Sequence, residues 1–142
     1  MFTFKTMTTK DKKILFIEDE PNLVDIYHVT FDAHGYKFFS TPDVDEGMVI
    51  AETEQPDIIM LDIILPESTG ETVDISAKQG FLFLEKVKKN SKTKKIPVIV
   101  FTNLNSSADR AKSKKMGAMD YMVKADHLPS EVFEKVESAI GK

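Results

Sequence analysis

Five short apolar runs, each followed by a segment with helical spacing, leave this chain few ways to fold. Ile14–Ile17, Tyr36–Ser40, Ile58–Leu61, Val98–Phe101 and Tyr121–Val123 read as strands. Ile14–Ile17 is continuously apolar, the pattern of a parallel strand covered on both faces. After it, Pro21 opens a stretch with Leu23, Ile26, Tyr27, Thr30 and Phe31 on one side, stopped by Gly35. Pro at the start and Gly past the end are helix punctuation. Asp43–Thr53 reads as a second helix with Val44, Gly47, Met48 and Ala51 inward. Phe81, Leu84 and Val87 define a third, with Lys86, Lys88 and Lys89 outward. Ser106–Met116 is a weaker fourth, closed by Gly117, and Pro129 starts a fifth that turns Val132, Phe133, Val136, Ala139 and Ile140 inward. Strands alternating with helices imply an α/β fold: a doubly wound, five-stranded parallel sheet with helices on both faces.

In such a sheet the functional crevice lies beyond the carboxyl ends of the strands. The residues found there are Glu18-Asp19 after the first strand, Asp62 after the third, Thr102 after the fourth and Lys124 after the fifth. An acid pair, an acid, a hydroxyl and an amine would therefore converge on one rim. Neighbouring strands lie about 4.8 Å apart, close enough for acids on two of them to share an ion. Clustered carboxylates repel, and a divalent cation relieves that repulsion. The expectation is a site for a cation and a reactive aspartate.

Composition narrows the class. At 142 residues the chain suits one domain. The net charge of −4 gives no support for a nucleic-acid-binding surface. With no cysteine there is neither a disulfide nor a thiolate metal site. No apolar stretch approaches the ~18 residues of a membrane span. The polar start has no signal-peptide core, so a cytoplasmic protein is expected.

The four motifs Ile14-Leu-Phe-Ile-Glu18-Asp19-Glu20-Pro21, Asp57-Ile-Ile-Met-Leu-Asp62-Ile-Ile-Leu-Pro66, Pro97-Val-Ile-Val-Phe-Thr102 and Gly117-Ala-Met-Asp-Tyr121-Met-Val-Lys124 are each tied to a different strand. Together they resemble the receiver domain of two-component response regulators, over about Lys13 to Ile140. The resemblance implies a flavodoxin-like sheet of order 2-1-3-4-5. It divides the chain into an N-terminal extension, 1–12, and a receiver domain, 13–142. It implies Mg²⁺ on Asp19, Asp62 and the backbone carbonyl of Ile64, with Glu18 acting largely through water. Asp62 would be the phosphoacceptor, with Lys124 and Thr102 contacting the phosphoryl oxygens. Thr102 and Tyr121 would form the switch that alters the face made by the fourth helix, fifth strand and fifth helix. The implied partners are a sensor histidine kinase or histidine phosphotransfer protein and a downstream effector, with no nucleic acid and no membrane. Such a chain is no enzyme beyond self-catalysed phosphoryl transfer and slow self-dephosphorylation.

Several positions depart from the family pattern. Receivers usually place a Gly eight residues after the phosphoacceptor, ahead of the third helix. Gly70 has that offset, yet Gly80-Phe81 looks like the same junction about ten residues late. An insertion at about 71–80 follows, expected to be a tolerated loop extension, with a lid near Asp62 (Asp74 within reach of the metal) as the sharper possibility. Ala125 stands where Pro is common, so either a strained cis bond or a different backbone is expected there. Asn103 replaces a small residue and would narrow access to the site. Ile64 and Leu104 flank the site and are apolar; they cannot orient a water, which implies a long-lived phosphoryl group.

Blander readings accompany these. Glu20 fits a solvated charge, Tyr121 fits core packing as well as a switch, and His28 has Asp32 at i+4 as a surface contact. The chief alternative function is a receiver-like protein-interaction module that works without phosphorylation. An aspartyl phosphatase is disfavoured by Ile64, where such enzymes carry a second Asp. A flavin carrier is disfavoured by the acidic loop Glu18-Asp19-Glu20-Pro21.

Overall fold

Among the described residues of the computed structural model, five strands run parallel in the order β2-β1-β3-β4-β5. Residues 11–65 and 78–141 are described. The strands are β1 (Lys13–Ile17), β2 (Lys37–Thr41), β3 (Ile58–Leu61), β4 (Val98–Thr102) and β5 (Asp120–Val123). The helices between and after them are α1 (Pro21–Asp32), α2 (Val44–Glu54), α3 (Gln79–Lys89), α4 (Ser107–Lys115) and α5 (Pro129–Ile140). The expected class and order are those observed. Residues 1–10 of the expected N-terminal extension, and Pro66, Gly70, Asp74 and most of the 71–80 insertion, lie outside the described residues.

Successive residues of a strand face opposite sides of the sheet, and two core layers result. Ile14 and Phe16 of β1, Ile58 and Met60 of β3 and Ile99 and Phe101 of β4 pack against Tyr27 and Phe31 of α1 and Val132 and Val136 of α5. Leu15, Ile17, Ile59, Leu61 and Val98 face the other way, onto Val44 and Ala51 of α2 and Phe83, Leu84 and Val87 of α3. Burying each large side chain is worth about 1.5–3 kcal/mol, so central strands apolar on both faces hold the frame rigid beneath the rim.

Gly47, inside α2, is what lets α3 approach. A Cβ there would lie 2.8 Å from Ile17 Cδ1 and 2.9 Å from Phe83 Cε1. Phe83 is fully buried, although the spacing Phe81, Leu84, Val87 had not placed it on the inner face. The edge strand β2 begins at Lys37 rather than Tyr36; Tyr36 is buried just before it and donates its hydroxyl to Glu137.

α4 is held differently from the other helices. Its buried residues are Asp109 and Ser113, not apolar side chains. Ser113 Oγ donates to the Asp109 carbonyl at 2.9 Å. The Asp109 carboxylate receives Ser106 Oγ at 2.8 Å and Lys78 Nζ at 3.2 Å. Burial alone would raise this carboxyl, but the Ser106 and Lys78 hydrogen bonds win and hold it below its ordinary value. A helix fixed by polar ties rather than apolar area belongs to the low-stability end of a fold. Among the described residues no helix is long and apolar enough to cross a membrane.

Candidate functional site

Strand register builds the site. Ile17 of β1 sits opposite Leu61 of β3, so Glu18 and Asp62 leave the sheet side by side. The Asp62 amide donates to the Ile17 carbonyl at 3.0 Å, and the Glu18 amide to the Thr41 carbonyl at 3.1 Å. Thr102 is the last residue of β4 and faces Val123 of β5, which places Lys124 one residue beyond it. Thr102 and Glu18 are buried, as is Asp62 at 5% exposure; Asp19 is half-buried.

The expected acids and amine meet. One carboxylate oxygen from each of Glu18, Asp19 and Asp62 falls within 4.8 Å of the others. Lys124 Nζ lies 2.9 Å from Asp62 Oδ2 and 2.7 Å from Glu18 Oε1. The first contact is a hydrogen bond. The second is an ion pair to a buried carboxylate oxygen. Asp62 Oδ1 accepts the Ile64 amide at 3.2 Å, so the backbone of Ile64 folds back onto the carboxylate.

Charge and burial set the protonation of the group. Burial, then the Asp62 charge, pushes Glu18 from its ordinary 4.5 up to about 7 despite the Lys124 ammonium. Burial, reinforced by Asp62, also holds Asp19 above its usual range. Lys124 loses from burial but gains more from Asp62 and Glu18, and stays above its ordinary value. With all three carboxylates ionised, beside one ammonium, the group would carry a net charge of −2. All donors are hard oxygens, the kind that Mg²⁺ takes, and those of Glu18 and Asp62 are buried. The residues present fit a divalent cation.

Gly80 packs directly on the backbone that carries Asp62. Its amide donates to the Ile63 carbonyl at 2.8 Å. A Cβ on it would lie 2.3 Å from the Asp62 carbonyl oxygen and 2.5 Å from Ile63 Cα. Only a glycine lets the start of α3 rest on the backbone that carries Asp62. Just before it, Lys78 adopts the left-handed conformation (φ 46°) and reaches Asp109.

Other positions took roles that the sequence did not disclose. Glu20 is the N-cap of α1: its carboxylate accepts the Leu23 amide at 3.1 Å. Its own amide donates to Glu18 Oε2 at 3.2 Å. Helix starts favour an acceptor of this kind, and the Glu20-Pro21 order could have signalled it. The Asn103 Oδ1 accepts the Ala125 amide at 3.0 Å. The Lys124–Ala125 bond is trans and opens a 3₁₀ turn, Lys124–Asp126. Instead of pairing with Asp32, His28 stacks on Phe38 with centroids 4.9 Å apart, while His34 stacks on Phe133 at 4.0 Å. Tyr121 is half-buried; its hydroxyl donates to the Leu104 carbonyl at 2.7 Å, and the Arg110 guanidinium sits 4.7 Å from its ring. It packs beside Ile63, Phe81 and Val100 and carries a polar tie at once.

Known proteins resemble this chain in sequence and in fold. The sequence pattern of the response regulator receiver domain matches residues 14–136. The alkaline phosphatase synthesis transcriptional regulatory protein PhoP of Bacillus subtilis is 30% identical over 132 residues, 93% of this chain and 50% of PhoP. Protein PilH of Pseudomonas aeruginosa is 28% identical over 114 residues, 79% of this chain and 84% of PilH. The chain thus spans about half the length of PhoP and most of PilH. Among solved structures, a CheY-like response regulator receiver domain protein of Methanospirillum hungatei superposes with a TM-score of 0.79 at 23% identity, covering 93% of this chain and 95% of that one. The receiver domain of the Pseudomonas aeruginosa sensor histidine kinase PA1611, with a magnesium ion in its active-site cleft, gives 0.75 at 21% identity, covering 94% of this chain and all of that one.

Proposed function

We propose, since this chain belongs to the response regulator receiver domain family of two-component signalling, that Asp62 is its phosphoacceptor and that Mg²⁺ binds beside it on Asp62, Asp19 and Glu18. The observation carrying this assignment is the joint geometry of Asp62. One of its oxygens is held by Lys124 at 2.9 Å, the other by the Ile64 amide at 3.2 Å, and two further carboxylates stand alongside. Bound there, the cation would supply positive charge to the phosphoryl oxygens.

The chain's own residues do the rest. An Asp62 oxygen attacks phosphorus and forms an acyl phosphate, while the bond to the donor imidazole of a histidine kinase or phosphotransfer protein breaks. Phosphoryl transfer of this kind depends on positioning and charge rather than on further covalent chemistry. Lys124 is preplaced as a compact cation for one phosphoryl oxygen. Thr102, buried at the end of β4, supplies a hydroxyl donor for another.

Signalling follows from the same contacts. When the Thr102 hydroxyl turns to the new anion, the loop after it moves, and Leu104 carries the acceptor of the Tyr121 hydroxyl. α4, with its polar anchorage, shifts with that loop. Between α4 and β5 a cleft of about 310 Å³ is lined by Arg110, Lys114, Met119 and Tyr121. An effector that reads this face would bind the two states differently, which is what a population shift requires.

Incubation with acetyl phosphate and Mg²⁺ should give one phosphoryl adduct, mapped by mass spectrometry to Asp62 and lost in Asp62→Asn. An unmodified Asp62 under these conditions would sink the assignment in favour of a phosphorylation-independent interaction module.

A further inference from the structure

We infer that Asn103 is a positioning residue for Lys124, acting through the amide of Ala125; the consequence for phosphoryl transfer rests on the function proposed above. Lys124 opens a 3₁₀ turn whose preceding residue, Val123, offers no side-chain cap. The first amides of any helical turn need acceptors from outside it. Here the acceptor comes from another loop: Asn103 Oδ1 takes the Ala125 amide at 3.0 Å.

This bond joins the loop that follows Thr102 to the turn that carries Lys124. Thr102 is bonded to Asn103, and Lys124 to Ala125, so the hydroxyl and the ammonium are linked through one side-chain contact. The Thr102–Leu104 stretch is itself fixed by the Leu104 amide on Thr102 Oγ1 at 3.4 Å and by the Tyr121 hydroxyl on the Leu104 carbonyl at 2.7 Å. Asn103 thus transfers the position of an anchored loop to an otherwise uncapped turn. Without it the turn frays and the Lys124 ammonium, only 14% exposed and paired with two carboxylates, is released toward solvent. Asn103 is itself exposed, so replacing it opens no cavity.

Asn103→Ala tests this with three readouts on the full chain. Amide exchange at Ala125 should accelerate on the order of tenfold, while Asn103→Asp, which keeps an oxygen acceptor, should leave it slow. Acylation of Lys124 by a succinimidyl ester, read by peptide mass spectrometry, should rise several-fold in Asn103→Ala with the exposed Lys37 unchanged. Phosphorylation by acetyl phosphate should slow by about tenfold, since misplacing a reacting partner is costly, at an unchanged melting temperature. Unaltered Lys124 acylation in Asn103→Ala overturns the inference whatever the phosphorylation rate. If acylation rises but wild-type Asp62 takes no phosphoryl group, the positioning role stands and the proposed function fails.

Discussion

Glu18 should make this protein less stable at the pH where it works, and Glu18→Gln should reverse that. The side chain is 2% exposed and carries a carboxyl pushed from 4.5 to about 7 by burial and by Asp62. The folded state therefore keeps its proton to a higher pH than the unfolded chain does. Between those two values unfolding releases a proton, and stability falls as pH rises. Moving a carboxyl from 4.5 to about 7 costs its ionised form about 3 kcal/mol. The cost is nearly absent below pH 4.5 and complete above pH 7. Urea denaturation in EDTA at several pH values from 5 to 8 measures it. Wild type should lose about 2–3 kcal/mol relative to Glu18→Gln over that range, and the variant should be the more stable protein at pH 8. Adding Mg²⁺ at pH 8 should narrow the gap, because a ligand of the folded state stabilises it by mass action and the variant has one carboxylate fewer to offer. Parallel stability curves for the two proteins across pH 5–8 would refute the reasoning.

Gly80→Ala places a methyl group 2.3 Å from the Asp62 carbonyl oxygen; overpacking of this sort costs about 1–3 kcal/mol or more. Its denaturation midpoint should drop and its acetyl-phosphate labelling should slow, whereas Gly35→Ala, at a glycine with no atom within 4 Å of the added methyl, should leave the labelling rate intact. The aspartyl phosphate should be long-lived, since Ile64 and Leu104 beside the site offer no group to orient water. Decay of radiolabelled phosphate should quicken on the order of tenfold in Ile64→Asn, Leu104→Glu, and decay slower in that variant than in wild type would contradict the assignment.

The central sheet was legible because it is buried on both faces. Ile58–Leu61 is a continuous apolar run, and the strand has those same limits. β2 was misplaced by one residue because it is an edge strand whose residues are mostly half-buried or exposed, so burial marks its start weakly. Glu18, Asp62, Thr102 and Lys124 were legible as site candidates since a parallel sheet delivers strand ends to one rim. What escaped were features made by loops meeting in space. Nothing in the spacing of Asn103 and Ala125 shows that the side chain of one caps the amide of the other. Phe83 escaped because its partner is an absence: the missing side chain of Gly47, thirty-six positions earlier. A glycine inside a helix costs about 0.5–1 kcal/mol relative to alanine, and that cost was the available hint of a close approach.

The start of α3 is held at two posts, Lys78 on Asp109 and Gly80 on the Asp62–Ile63 backbone. Those two contacts fix where the helix begins relative to the Asp62 carboxylate. One of the two posts is a carboxylate on α4, so the residue just ahead of α3 is tied to the helix expected to report the signal.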